Sequence, residues 1–245
     1  SASVSSAAAS NGRSVPAWHP AWARSVAEAY YAGTASVFVL HGNTYDEVPL
    51  DPEAAAYGPV TTFLAEPVFG SWDLILHYDV GRGIRPFAGR DITRFRGMLP
   101  KTAEIFGTDL EKARVVEPQA VFAALDRYLI RQLHTPGDER VRIALLVDHA
   151  SFVFPSAEPG TLSLSASAAA VTMVNWAAAP QVRRIDFACV MIDERRSTLQ
   201  GRIVQNPHVM VQEIPLPDAD QRARFVKAVA GNRTPSLADG LTLDR

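Results

Sequence analysis

Cysteine is almost absent from this 245-residue chain, because Cys189 is the only one. A single cysteine excludes an intramolecular disulfide and any zinc site built from several thiolates. Cys189 lies inside the apolar run 187–192, which predicts a buried structural thiol rather than a reactive one.

Long apolar runs and a basic surplus are also missing. No run approaches the roughly 18 residues needed to cross a bilayer. The net charge of -2 and the sequence pI near 6.3 provide no general attraction for nucleic acid or an anionic membrane. A cytoplasmic protein is therefore expected, and neither a membrane nor a nucleic acid is expected to bind it.

Motifs for common catalytic chemistry are absent as well. The six histidines show no HxH or HxxxH spacing typical of a metal site, and no G-x-S-x-G nucleophile elbow occurs.

What is present is a regular alternation of strand and helix patterns. Five apolar runs predict strands at 36–40, 72–78, 142–148, 185–192 and 209–214, and helical spacing predicts helices at 20–31, 60–68, 119–134, 165–178 and 218–229. Continuous apolar runs are typical of parallel strands covered on both faces. The pattern predicts an α/β three-layer sandwich with a mainly parallel five-stranded sheet.

The ends of the chain differ in composition from its centre. Residues 1–14 are rich in serine and alanine and read as a flexible arm, residues 15–231 as the α/β core, and residues 232–245 as a tail or truncated linker. Within the core, 90–117 is the least regular stretch and reads as a surface insertion.

Three motifs place charged residues where predicted strands end. RIALLVDH at 142–149 puts Asp148 directly after five apolar residues, FACVMIDE at 187–194 puts Asp193 and Glu194 after the next strand, and IPLPDADQR at 214–222 joins a strand to an acid-capped helix. Carboxyl ends of parallel strands meet at one sheet edge, where α/β proteins bind ligands. A structural alternative is that Asp193 and Glu194 cap the following turn or pair with Arg195 and Arg196.

This series of motifs resembles the ATPase core of the AAA+ family, within the P-loop NTPase superfamily. By that resemblance Asp148 would contact Mg²⁺, at most weakly, and His149 stands where a catalytic glutamate is common. Asp193 would lie near the γ-phosphate. The interface arginines that reach a neighbouring subunit's nucleotide would be among Arg195, Arg196 and Arg202. The resemblance also leads us to expect that the strand ending at Asp148 lies beside those starting near Val37 and Phe187.

The chain departs from the family at the phosphate-binding loop. No G-x-x-x-x-G-K-[ST] motif occurs, and after the strand 37–40 the sequence reads HGNTYDEV, with one glycine, no lysine, and the acids Asp46 and Glu47. The resemblance with this loss implies a degenerate domain that serves as an assembly or interaction module and does not hydrolyse ATP by itself. It would belong to a longer AAA+ protein and contact protein partners or its own copies in a ring. No cofactor is expected, or ATP with Mg²⁺ held only weakly.

Two other interpretations stay open. The loop 79–90 carries Arg82, Arg85 and Arg90, with Gly81 and Gly83 on either side of Arg82. It forms a hairpin or exposed turn, docks a partner protein, or grips a phosphate or a carboxylate, in the case of phosphate replacing the standard loop. Alternatively, the chain is a hydrolase-type α/β enzyme with a site at the carboxyl ends of its strands, around His41, Asp46 and Asp148.

Overall fold

A computed structural model describes residues 15–87 and 91–232. The predicted arm, nearly all of the predicted tail and Arg90 lie outside the described residues. The strands are β1 (Val37–Gly42), β2 (Glu47–Pro49), β3 (Tyr57–Pro59), β4 (Leu74–Asp79), β5 (Gly83–Pro86), β6 (Ile143–Val147), β7 (Phe187–Ile192) and β8 (Val209–Ile214). The α-helices are α1 (Ala21–Tyr31), α2 (Val60–Phe63, continued by a π-turn over Leu64–Val68), α3 (Ile92–Phe106), α4 (Pro118–Leu133), α5 (Leu164–Ala178), α6 (Gly201–Val204) and α7 (Ala219–Asn232).

Six strands form the main sheet, in the order β5-β4-β6-β7-β1-β8. The five predicted strands are all present and run parallel, which confirms the predicted α/β class. The sixth strand, β5, is antiparallel to β4 and lies within the glycine-containing loop 79–90. The hairpin interpretation of that loop is therefore confirmed, and the sheet gains an edge strand that was not predicted.

The predicted position of β6 is only half right. β6 pairs with β7 in register Ile143↔Phe187, as expected, but its other neighbour is β4 and not β1. The connection through α5 places β7 directly beside β6 in the sheet. β7 therefore separates β6 from β1. β1 pairs instead with β7 and β8.

The stretch 90–117 was wrongly predicted to be irregular, because it contains the 15-residue helix α3. Asp91 caps the start by accepting a hydrogen bond from the Arg94 amide, and Gly107 ends the helix in the left-handed conformation (φ 69°). Gly97 and Pro100 inside the helix lower its intrinsic propensity and conceal it from pattern analysis.

Helices cover the two faces of the sheet. The chain moves in one direction across the sheet from β4 to β6 to β7, and in the opposite direction from β1 to β4. Right-handed crossovers therefore place α4 and α5 on one face and α2 on the other. Aromatic clusters fill both layers: Phe122, Phe154, Trp176 and Phe187 pack on the first face, and Trp22 of α1 packs on Phe63 on the second.

Candidate functional site at the carboxyl edge of the sheet

The carboxyl ends of β1, β6 and β7 bring three chain segments to one edge of the sheet. β6 is followed by Asp148 and β7 by Asp193, as the sequence pattern predicted. The loop that follows β1, residues 43–47, runs along the same edge, and we call it the β1 loop.

Gly42, the last residue of β1, leads into the β1 loop in a conformation that favours glycine, with φ 93°. Its amide donates to the Glu194 carbonyl at 2.9 Å, and the Asn43 amide donates to the Ile214 carbonyl at 2.9 Å. These two bonds connect the start of the loop to the segment that follows β7 and to the last residue of β8.

Two further amides of the β1 loop also donate hydrogen bonds to acceptors within the protein. The Thr44 amide donates to the Gly42 carbonyl, and the Glu47 amide donates to the Asp46 carboxylate, both at 2.9 Å. The second oxygen of Asp46 accepts a hydrogen bond from the Asn43 side chain at 3.0 Å. A phosphate-binding nest needs several free amides that converge on one point, so a loop bonded in this way does not provide one.

Tyr45 lies across the acidic end of β6. Its ring stacks on His149 at a centroid distance of 5.0 Å, and its hydroxyl is 3.1 Å from His149 Nδ1. Partial burial and the negative charges of Asp148 and Asp193 raise the pKa of Tyr45 well above its usual range. The side chain remains 44% exposed, so Tyr45 forms a cover over this edge rather than a part of the core.

His149 has a backbone conformation that is uncommon for a side-chain-bearing residue, with φ 49°. This left-handed turn directs the chain from Asp148 into a short 3₁₀ segment at Ala150–Phe152. It also sets the imidazole against Tyr45.

Asp148 is held by hydrogen bonds on both of its carboxylate oxygens. Oδ2 is 3.3 Å from His77 Nε2, and Oδ1 accepts the His149 amide at 2.9 Å. Burial by itself would raise the pKa of Asp148. The pKa is nevertheless lowered below its ordinary value, because His77 donates a hydrogen bond, His149 and His77 contribute favourable charge, and the His149 amide donates a further hydrogen bond.

Asp193 caps two turns. Its carboxylate accepts the Ser151 amide at 2.8 Å and the Glu194 amide at 2.8 Å, and the side chain is buried. This is the turn-capping role left open by the sequence. Asp193 thereby links the segment after β7 to the segment after β6.

Sequence analysis did not single out His77, which belongs to this site. The residue is buried in β4, stacks on Phe87, and has Nδ1 3.8 Å from Asp79 Oδ2 without a hydrogen bond. The only available signal was a histidine inside the apolar run 72–78, two residues before Asp79.

The two hairpin arginines differ in their surroundings. Burial and the nearby Arg82 lower the pKa of Arg85, while Asp79 and Asp148 oppose that shift, which places Arg85 beside the acidic end of β6. Arg82 is exposed, and its carbonyl accepts a hydrogen bond from Arg114. Arg114 also donates to the Gly81 carbonyl and so holds the hairpin turn.

The predicted interface arginines, Arg195, Arg196 and Arg202, are all exposed. Arg196 comes close to His41: burial and then Arg196 lower the pKa of His41, while Glu213, its partner in the β1–β8 register, opposes the shift.

The three residues of the hydrolase-type alternative have different neighbours in the described part of the chain. His41 lies near Glu213 and Arg196, Asp46 is bonded to Asn43, and Asp148 is bonded to His77. No described hydrogen bond or ion pair joins any two of the three.

Over residues 15–87 and 91–232, no group of three or more histidine, cysteine or acidic side chains is arranged to hold a metal ion. The helices in this portion are too short or too polar for any of them to cross a membrane.

Replacing Asp148 by asparagine is expected to reduce stability at neutral pH and to have less effect in acid. A carboxyl group with a lowered folded-state pKa stabilises the fold above its ordinary pKa of about 3.9, and this contribution is lost as the pH falls through the lowered value. Urea denaturation of both proteins from pH 3 to pH 7 measures the difference. Glu28→Gln, which removes an exposed carboxylate on α1, is the control. An equal deficit for Asp148→Asn at both ends of the pH range would contradict the prediction.

A family model describes this architecture. Residues 15–215 match the model of the AAA+ chaperone N-terminal Rossmann-like domain. The chain belongs to this family. The resemblance to AAA+ proteins inferred from the motifs is thus confirmed. The match covers every strand of the sheet and ends before α7 begins.

Comparison with individual proteins adds little to the family assignment. No curated protein matches the chain. Among solved structures, one similar to this AAA+ chaperone domain is "Structure of E. coli MS115-1 HORMA:CdnC:Trip13 complex", at 17% identity and a TM-score of 0.45. The alignment covers 87% of this chain and 58% of that one, so the chain spans little more than half of that protein's length.

Proposed function

We propose that this domain is an interaction module of an AAA+ chaperone that neither binds nor hydrolyses nucleotide in the manner of an active AAA+ core. The observation that carries the proposal is the state of the β1 loop: the amides of Asn43, Thr44 and Glu47 are bonded within the protein, and Tyr45 covers the acidic end of β6. Membership in a family of AAA+ chaperone N-terminal domains supports a role beside an active ATPase.

The charge at this edge of the sheet supports the absence of nucleotide. Asp46 and Glu47 of the β1 loop, Asp148 after β6 and Glu194 after β7 all belong to segments that follow strands at this edge, and no lysine is present in the loop. A triphosphate carries several negative charges, and nearby carboxylates repel it unless a cation intervenes. Both oxygens of Asp148 already accept hydrogen bonds from protein groups, which leaves this carboxylate less capacity to coordinate Mg²⁺.

The exposed arginines support contact with protein. Arg195 and Arg196 follow β7 at the carboxyl edge, Arg202 lies on α6, and arginine is enriched at protein interfaces. In our proposal they contact a partner protein or a neighbouring copy in a ring, and the sheet serves as a rigid support for them.

Titration of the purified domain with a fluorescent ATP analogue, with and without Mg²⁺, is expected to show no saturable binding up to about 1 mM, a concentration at which even a site with a standard free energy of only about −4.1 kcal/mol would be half filled. Tyr45→Ala is the informative companion variant. It removes the cover but leaves the β1 loop amides bonded, so it should not restore binding.

Saturable binding at micromolar concentrations would overturn the proposal. Loss of that binding in Arg85→Ala would then assign the phosphate contact to the β4–β5 hairpin, and loss in Asp148→Asn would assign it to a bound cation.

A further inference from the structure

A groove of about 490 Å³ lies beside the β1 loop, between the segment that precedes α1, the β2–β3 hairpin and the first turns of α7. This volume is within the roughly 300–1,000 Å³ typical of ligand sites. None of the roles assigned above uses the groove.

The walls of the groove are rich in proline. Pro20, Pro49, Pro215 and Pro217 all line it. Proline has no backbone N–H, so these walls cannot pair with an added β-strand through a ladder of main-chain hydrogen bonds. Side chains are therefore better placed than a continuous main-chain ladder to recognise a ligand in this groove.

Aromatic rings provide the contact surface. Trp18, Tyr57 and Phe225 line the groove, and two of them are fixed by their neighbours: Tyr57 packs edge-on against Phe225 at 5.0 Å, and Trp18 packs edge-on against Phe63 at 6.0 Å. Rigid rings lose little conformational entropy when a ligand packs against them.

These aromatic residues also offer free hydrogen-bond donors. Within the described part of the chain, the indole N–H groups of Trp18 and Trp22 and the hydroxyl of Tyr57 have no hydrogen-bond partner. Donors without acceptors suit a ligand that presents carbonyl groups. A polyproline II segment does so, because its backbone makes no internal hydrogen bonds.

Two elements that line the groove carry opposite charges. Asp46 and Glu47 line it from the β1 loop, and Arg222 and Arg224 line it from α7. Arg222 already donates to the Pro217 carbonyl, whereas Glu47 is exposed and makes no described ion pair. Such a groove is complementary to a segment with a cation at one end and a carboxylate at the other.

We infer that this groove binds an extended, proline-rich segment of a partner protein in the polyproline II conformation, with a basic residue against Asp46 and Glu47 and an acidic residue against Arg222 and Arg224. Aromatic-lined grooves are a recurring means of binding such segments, since the conformation is largely preformed and costs little to order. The inference rests on the proposed function, because it names the partner chemistry of the interaction module.

Isothermal titration with a synthetic ten-residue peptide tests this inference. The peptide carries two N-terminal residues, alanine and arginine, a central Pro-Leu-Pro-Pro-Leu-Pro segment and two C-terminal residues, aspartate and alanine. Saturable binding below about 1 mM is expected, and a matched peptide with alanine in place of every proline should bind about tenfold less tightly or worse. Trp18→Ala should weaken binding by about tenfold or more, as is common for central tryptophans. Phe152→Ala, which removes an exposed aromatic ring outside the groove, should leave it unchanged.

Glu47→Lys guards against a folding defect in the tryptophan variant, because Glu47 is exposed. This variant should bind the arginine peptide less tightly, and it should bind a peptide with glutamate in place of that arginine more tightly than the unmodified domain does.

No heat up to 1 mM peptide, equal binding of the alanine peptide, or indifference to both Trp18→Ala and Glu47→Lys would overturn the inference. If neither the peptide nor the ATP analogue binds, the groove assignment is wrong and the proposed function stands. Displacement of the peptide by ATP would remove both.

Discussion

Replacing Phe122 by alanine is expected to lower the free energy of unfolding by about 3–5 kcal/mol, the usual range for deleting a fully buried aromatic ring. Phe122 is 0% exposed, and its ring contacts Tyr78 of β4, Phe154 after β6 and Trp176 of α5, with centroid distances of 6.0, 5.3 and 5.6 Å. Its removal therefore leaves a cavity shared by three elements. Urea denaturation followed by circular dichroism measures the loss.

Phe152→Ala provides the matched control. It is the same substitution two residues before Phe154, but Phe152 is 73% exposed, so the change should stay within about 0.5 kcal/mol. Similar losses for the two variants would contradict the packing described for the face covered by α4 and α5.

Gly42→Ala is expected to destabilise the domain by about 2–4 kcal/mol. Two effects of the added β-carbon contribute to this loss. A φ of 93° is strained for alanine, and such strain costs of the order of 1–3 kcal/mol. In addition, a β-carbon at this position would stand 2.6 Å from the Ile214 carbonyl oxygen, which belongs to the backbone and cannot move aside cheaply. Denaturation experiments give the stability, and the amide signals of Asn43 and Thr44 report whether the β1 loop has shifted.

The matched control is Gly97→Ala in α3. A β-carbon there meets nothing within 4 Å, and alanine has the higher helix propensity, so this variant should gain about 0.5–1 kcal/mol. If both substitutions stabilised the protein, the described path of the β1 loop would be wrong.

Local sequence patterns predicted the five parallel strands but missed strand β5 and helix α3. Five parallel strands followed from continuous apolar runs such as 143–147, which is buried along its whole length. Strand β5 was missed because Arg85 and Pro86 interrupt its apolar character. Helix α3 was missed because Gly97 and Pro100 weaken its helical pattern.

The candidate site was predicted only where it depends on strand ends. Asp148 and Asp193 were located because each directly follows an apolar run. The pairing of Asp148 with His77 depends on β4 being the neighbour of β6, and the stacking of Tyr45 on His149 depends on the path of the β1 loop and on a left-handed turn. Strand order and loop path follow from packing across the whole domain, so no local pattern reveals these contacts.

The position of β1 between β7 and β8 has a consequence for how the domain folds. Val37 pairs with Cys189 on one side and with Val209 on the other, about 150 and 170 residues later in the chain. During synthesis the first strand of the sheet must therefore wait for the last two, while its apolar residues have no permanent neighbour. Contacts of such long sequence separation slow folding and prolong the time that apolar segments are exposed. Productive folding of this domain is therefore completed only after β8 has been synthesised and has paired with β1.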